Sequence, residues 1–267
     1  MSEPAAPQNW DPEHYLAYAD LRLRPALELL ARVPLDGAER VTDLGCGAGS
    51  VTPYLRARFP AAEIHGIDRS AEMLDAARAK HRGMAHWVQA DAAVWRPSQP
   101  QDLIFSNAAV QWLDGHETLF TRLMEGVAPG GVLAVQMPCQ FLEPSHALMR
   151  EVAADGPWAE ILTPLLRPAP VAEPGQYYDW IKPHAVGVDI WQTTYVQELG
   201  GDDAVLDWIA STALKPLLEA LAPERQAPFR AALAAKLGEA YPSRADGVTL
   251  FPFKRLFIVA VKAGEPI

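Results

Sequence analysis

From residue 40 to 137, short apolar runs alternate with stretches of helical spacing, and this alternation leaves few folds open. RVTDLG, EIHGID, AHWVQAD, DLIFSN and GVLAVQMP read as strands. SVTPYLRARF, AEMLDAARAK and HETLFTRLMEGV read as the helices between them. Pro60 closes the first helix, Ser70 is placed to cap the second, and APGG stops the third. Strand–helix–strand repetition of this kind predicts an α/β fold built on a parallel sheet.

Two more strand runs come late, at 188–199 (VDIWQTTYVQEL) and 255–263 (RLFIVAVKA). Helical sequence lies between them, and a proline-punctuated helical region spans 144–186, with a loop expected at 163–175. These stretches have no linker of their own. They are expected to cover the carboxyl ends of the sheet, where open α/β sheets bind ligands. The formal charge of -10 speaks against a nucleic-acid or anionic-membrane surface. Cys46 and Cys139 stand in no CxxC spacing and near no histidine cluster, so neither a disulfide framework nor a metal site is expected. The chain shows no signal peptide and no apolar run of membrane-spanning length. A cytoplasmic protein is the expectation.

Within this frame the stretch VTDLGCGAGS, residues 41–50, carries the most chemistry. A strand passing straight into a helix through Gly45, Gly47 and Gly49 lets backbone approach a ligand closely, beside a helix N-terminus. It is not the dinucleotide fingerprint, because Ser50 stands where the third fingerprint glycine belongs. An acid precedes the loop, Asp43; a second ends the next strand, Asp68; a third ends strand three, Asp91. Singly, each acid is equally a solvated strand end or a helix cap. In register they suit a ligand with a cation, a ribose diol and a polar base but no phosphate, which is the inventory of S-adenosylmethionine.

This stretch resembles motif I of the class I S-adenosylmethionine-dependent methyltransferases, and Asp68 and Asp91 fall at the family's next acidic motifs. The resemblance implies a Rossmann-like seven-stranded sheet, mostly parallel, with the last strand antiparallel. It implies one methyltransferase domain over 1–267, with a cofactor core at 38–137 and helical inserts at 140–186 and 200–245 covering the substrate. It places Asp43 and the Gly45 and Gly47 backbone at the methionine end, Asp68 on the ribose hydroxyls, and Asp91 with Ala92 at the adenine edge. Asn107 would lie beside the methionine carboxylate or amine, and Cys46 and Arg69 complete the cofactor set.

The acceptor is the second question. Enzymes that methylate base or glutamine amines carry two prolines after strand four; Ala108 and Ala109 stand there instead, so that chemistry is not expected. Across nearly the whole chain NWDPEHYLAYADLRLRPALELLARVPL, SNAAVQWL, EPSHALMREVA, VDIWQTTY and FKRLFIVA resemble the trans-aconitate methyltransferases, with departures at 155–175 and at Lys215. The implied reaction moves a methyl group to a carboxylate of a small tricarboxylate. A carboxylate is already ionised at neutral pH, so no general base is required and His14 is given no such task.

Binding the trianion asks for local cations. Arg22 and Arg24 are candidates, although two positions apart on a helix do not share a face; their plain reading is a solvated pair. Arg255, the aromatics Trp10 and Tyr15, the pair Gln111 and Trp112, and the hydroxyls of Tyr177 and Tyr178 complete the substrate set. Trp191 and Trp208 read as core. Two other readings remain: a methyltransferase for a different small acceptor, and a module that binds the cofactor without turnover.

Overall fold

The computed structural model describes residues 19–210 and 212–264. Helix α1 (Ala19–Ala31) leads into β1 (Arg40–Leu44), α2 (Thr52–Arg58), β2 (Glu63–Asp68), α3 (Ala71–Lys80), β3 (His86–Gln89), β4 (Gln101–Asn107), α4 (His116–Gly126) and β5 (Val127–Pro138). Then come α5 (Pro144–Ala154), the single turn α6 (Ala159–Leu162), α7 (Pro174–Ile181), β6 (Ala185–Gly200), α8 (Ala204–Ala210), α9 (Lys215–Ala220), α10 (Pro223–Ala240) and β7 (Val248–Lys262). Ser70 caps α3 as its position suggested, its hydroxyl accepting the Met73 N–H at 3.2 Å.

The strands form one seven-stranded sheet in the order β3-β2-β1-β4-β5-β7-β6. Neighbours from β3 to β5 are parallel, and β7 runs antiparallel to β5. The expected Rossmann-like, mostly parallel sheet is therefore the fold. From β1 the chain builds outward through β2 and β3, then returns to the other side of β1 with β4. That reversal opens a crevice at the carboxyl ends of β1 and β4, and the glycine stretch lies there.

Side chains alternate across the sheet, so the pairing register assigns each residue a face. Leu44, Ile67, Ile104, Leu133, Val135, Met137, Leu256 and Ile258 pack with Leu119, Phe120 and Leu123 of α4 and with Tyr177 and Ile181 of α7. Asp43, Phe105, Asn107, Gln136, Phe257 and Arg255 share the opposite face. Polar residues thus gather on one side of the strand ends, while the other side is almost wholly apolar.

The described residues fall into two compact units. One holds the sheet core, Arg22–Cys139, together with Pro170–Thr193 and the chain from Lys254. The other holds Gln140–Ala169 and Thr194–Phe253. The second unit has its own apolar cluster, in which Trp158, Leu162, Trp208, Phe229, Leu233 and Phe251 are buried. There the Trp158 indole donates to the Val152 carbonyl at 2.6 Å and meets the Phe229 ring edge-on, with centroids 5.1 Å apart. The segment expected as one insert at 140–186 is divided between the units, since 170–193 clusters with the sheet core.

Close packing in the sheet core shows at Gly66 of β2, where a β-carbon would run into the Trp87 ring. Gly66→Ala is expected to lower stability by about 1–3 kcal/mol, the usual range for an overpacked core site. Urea titration of the purified protein checks this, and an unchanged midpoint would show that Trp87 yields freely.

Candidate active site

The glycine stretch is a tight turn hung on strand β2. The N–H groups of Gly45 and Cys46 both donate to the Ile67 carbonyl, at 2.7 and 3.0 Å. Gly45, Gly47 and Gly49 all have positive φ, +75°, +54° and +76°, a region that L side chains enter only with strain. At Gly45 a β-carbon would collide with Ala109 of the turn after β4; at Gly47 it would meet no protein atom within 4 Å. The first glycine lets two chain segments touch. The second leaves bare backbone facing open space.

Asp68 sits at the end of β2, half-buried. One carboxylate oxygen accepts the Gly47 N–H and the other the Ser70 N–H, both at 2.9 Å. It therefore locks the turn, and its remaining lone pairs stay available to a diol. Arg69, its neighbour, is exposed. Asp91 lies past the end of β3 rather than closing that strand, because its carboxylate accepts the Ala93 N–H at 2.8 Å and starts a turn. The Ala92 carbonyl accepts from Arg122 at 3.1 Å, which adds α4 to this edge of the site.

Asp43, implied by the resemblance to lie at the methionine end, is only 2% exposed and accepts the Thr52 hydroxyl at 2.7 Å, which braces the loop against the first turn of α2. Burial pushes its pKa up to about 7, the Thr52 bond opposing and the nearby Asp68 charge adding to the rise. Burial, with Asp43 and Asp68 beside it, likewise pushes the Cys46 thiol up, so this cysteine packs and is no nucleophile.

Three side-chain amides, of half-buried Asn107 and Gln111 and of fully buried Gln136, belong to residues around Ala108, the residue after β4, whose own φ of +52° is unusual for a non-glycine. The Oδ1 of Asn107 and the Oε1 of Gln111 are buried without hydrogen-bond partners. Gln111 directs its amide N–H to the Ala108 carbonyl at 2.7 Å, which fixes its free atom as an acceptor. Gln136 presents its backbone carbonyl to the Ala108 N–H at 2.8 Å. The Asn107 and Gln111 acceptors suit a ligand bearing an ammonium, and the bare Gly47 backbone and Asp68 suit a ribose. Together they fit S-adenosylmethionine, whose methionine end would lie by Asn107 and Gln111 and whose ribose would lie by Asp68.

The substrate candidates scatter. Trp10 and Tyr15 lie outside the described residues, as does the side chain of Arg22. Arg24 pairs with Glu28 one helical turn on, at 2.8 Å with its side chain 70% exposed. Lys215 pairs with Glu219 at 3.8 Å. Trp112 and Tyr178 are exposed, whereas Arg255 is buried on the polar face of the sheet.

Tyr177 corrects the reading of its hydroxyl as a substrate donor. It is fully buried, and its oxygen is held by His116 Nδ1 and accepts the Ala172 N–H at 3.1 Å. His116 Nε2 donates to the Val110 carbonyl at 3.0 Å, so this neutral chain ties α7 to the turn carrying Gln111 and Trp112. Thr52, His116 and Gln136 escaped the sequence reading. A glutamine inside the apolar run VLAVQMP was the signal for the last.

The comparisons with known proteins agree with this geometry. Residues 41–131 match the family described as "Methyltransferase domain". The chain is 49% identical over 253 residues to trans-aconitate 2-methyltransferase of Azoarcus sp. (strain BH72), covering 95% of this chain and 99% of that protein. It is 44% identical to the protein of that name from Yersinia pestis (strain Pestoides F), covering 95% and 98%. The chain belongs to the trans-aconitate 2-methyltransferase family. Among solved structures, phosphoethanolamine N-methyltransferase 2 of Haemonchus contortus, with S-adenosylhomocysteine bound, superposes with a TM-score of 0.54 at 18% identity, over 90% of this chain and 52% of that one. The YcgJ protein of Bacillus subtilis gives 0.57 at 13%, over 90% and 99%. At such identities these two speak for the fold alone.

The raised pKa of Asp43 has a direction that can be tested. A carboxyl whose folded pKa lies above its unfolded value contributes stability at low pH and loses it as pH rises through the folded value, here about 7. Asp43→Asn keeps an acceptor for Thr52 and cannot ionise. The ligand-free variant is expected to be more stable than wild type, by a margin that grows with pH and levels off above neutrality. Thermal unfolding across that range decides it, and a margin independent of pH would show that Asp43 is ionised throughout.

Proposed function

We propose that this protein transfers the methyl group of S-adenosylmethionine to a carboxylate of trans-aconitate, releasing the monomethyl ester and S-adenosylhomocysteine. The observation that carries this reading is near-end-to-end similarity to proteins of that name, at 44–49% identity, in a chain whose strand ends present the matching set of groups. The cofactor supplies an electrophilic methyl group on a sulfonium. The chain's own part is to bind, orient and exclude water. Gly47 and Asp68 hold the ribose side, Asn107 and Gln111 accept from the ammonium, and Asp91 with Ala92 borders the base.

No residue needs to remove a proton from an acceptor that is already an anion. Placing the two reacting groups in line is the catalytic task, and orientation of that kind supplies up to about 7–11 kcal/mol in well-held cases. The absence of the two-proline turn after β4, replaced by Ala108 and Ala109, fits a carboxylate acceptor better than an amine. A reducing cytoplasmic setting belongs to the same proposal, since both cysteines are free thiols. Among the described residues no helix is long and apolar enough to cross a membrane.

Labelled S-adenosylmethionine with a panel of di- and tricarboxylic acids tests the reaction. Base-labile label in trans-aconitate is expected. Base-stable label in another acceptor would replace the acceptor, and binding without turnover would replace the activity.

Asp68→Ala tests the cofactor site. It removes the acceptor for Gly47 as well as the diol contact, so affinity for S-adenosylhomocysteine should fall by about 10- to 100-fold, the scale of one or two lost charge-assisted hydrogen bonds. Calorimetry reads this directly, and an unchanged dissociation constant would remove Asp68 from the site.

A further inference from the structure

We propose that the side-chain amide of Gln136 is the donor that fixes a ligand carboxylate in the site, and that Arg255 sets its orientation; this rests on the carboxyl-methylation reading above. Gln136 is fully buried near the end of β5, and its register partner on β4 is Asn107. Arg255 enters the sheet opposite Pro138 on the antiparallel β7, two residues along from Gln136 and on the same face. Its guanidinium donates to Gln136 Oε1 in a long contact of 3.4 Å.

That contact settles which end of the amide is which. A guanidinium has donors only, so the atom turned toward it is the oxygen. The Nε2 group is left as a buried donor without a partner. A buried orphan donor is costly and rare in folded proteins, and it calls for an acceptor from outside the chain. Its neighbours define the place: the Gln136 backbone carbonyl holds the Ala108 N–H, and Gln111 and Asn107 across that residue present free acceptors. Donor and acceptors thus belong to residues at the carboxyl ends of β4 and β5 and in the turn that follows β4. A carboxylate accepts and never donates when ionised, so it matches Nε2, while an ammonium matches the other pair.

Two carboxylates are available in the proposed reaction, that of the acid and that of the cofactor's methionine end, and the acid is the one assigned. The position favours it because the cofactor groups line β1, β2 and β4, whereas Gln136 and Arg255 lie one and two strands further along the sheet.

Gln136→Glu keeps the shape and the acceptor toward Arg255 but replaces the donor by an anionic oxygen. Gln136→Leu removes the donor without adding charge. Calorimetry measures two constants on each: S-adenosylhomocysteine with the free protein, and trans-aconitate with the S-adenosylhomocysteine complex. The expected result is a loss of acid affinity of about 10- to 100-fold in the glutamate variant and a smaller loss in the leucine variant, with cofactor-product affinity held within about twofold. If the loss falls on S-adenosylhomocysteine alone, Gln136 holds a carboxylate and the cofactor supplies it. Equal losses in both constants mark a general disturbance of the site and overturn the assignment, as do two variants that bind like wild type. Because the readout is binding, it is separate from wild-type turnover, whose absence would sink the methylation reading and leave these constants to judge Gln136.

Discussion

The close approach of two turns determines the site. Gly45, at the exit of β1, presses its α-carbon toward Ala109, at the exit of β4, with no room for a β-carbon between them. That contact fixes the path of the loop: from there Gly47 turns its N–H to Asp68, and Thr52 comes back under the loop to Asp43. On the other side, Ala108 is forced into the left-handed region, and the three amides of Asn107, Gln111 and Gln136 are arranged around it. A non-glycine with positive φ, next to a residue packed on a bare glycine and held by a backbone hydrogen bond to Gln136, is the kind of strain that collects at ligand sites.

The sequence made the sheet legible because its central strands are buried on both faces, so RVTDLG, DLIFSN and GVLAVQMP stand out as apolar runs whatever packs on them. The antiparallel placement of β7 came from family resemblance; no periodicity in RLFIVAVKA encodes strand direction. Asp68 was legible for a physical reason, since it ends β2 and open α/β sheets bind ligands at the carboxyl ends of their strands. Asp43 sits one residue before the end of β1, where Thr52, nine residues on in the sequence, donates to it. Side-chain pairing across a loop is a tertiary fact. Tyr177 went the same way: its neighbours in PGQYYDW give no sign of which tyrosine faces inward, and His116, sixty-one residues away, decides it. Gln136 was visible as a letter out of place in an apolar strand, but only the register opposite Asn107 and the diagonal to Arg255 turn it into a site residue.

The polarity of the site also answers how a protein of charge -10 receives an anion. Close to the crevice, the negative charge is smaller than the sequence suggests, because burial raises the Asp43 pKa to about 7 and the Thr52 hydroxyl donates to its carboxylate. The groups proposed to face the ligand are mostly dipoles: backbone N–H, and amides, of which Gln111 and Gln136 have their donor and acceptor ends fixed by a second contact. Dipoles held in place by the fold need no reorganisation when a ligand arrives, and they favour a charge of chosen sign at a chosen point without repelling its counter-ion.

This bears on the proposed chemistry. In transfer from a sulfonium to a carboxylate, opposite charges cancel as the reaction advances. A strong cation gripping the nucleophilic oxygen would stabilise the reactant anion more than the charge-depleted transition state, and so would slow the step it helps to bind for. A neutral amide donor orients the carboxylate with a weaker claim on its lone pairs. In the proposed arrangement Arg255, which donates to Gln136 Oε1 at 3.4 Å, would polarise that donor. On that reading Arg255 positions Gln136, a different use of the charge from the fork that tricarboxylate recognition first suggests.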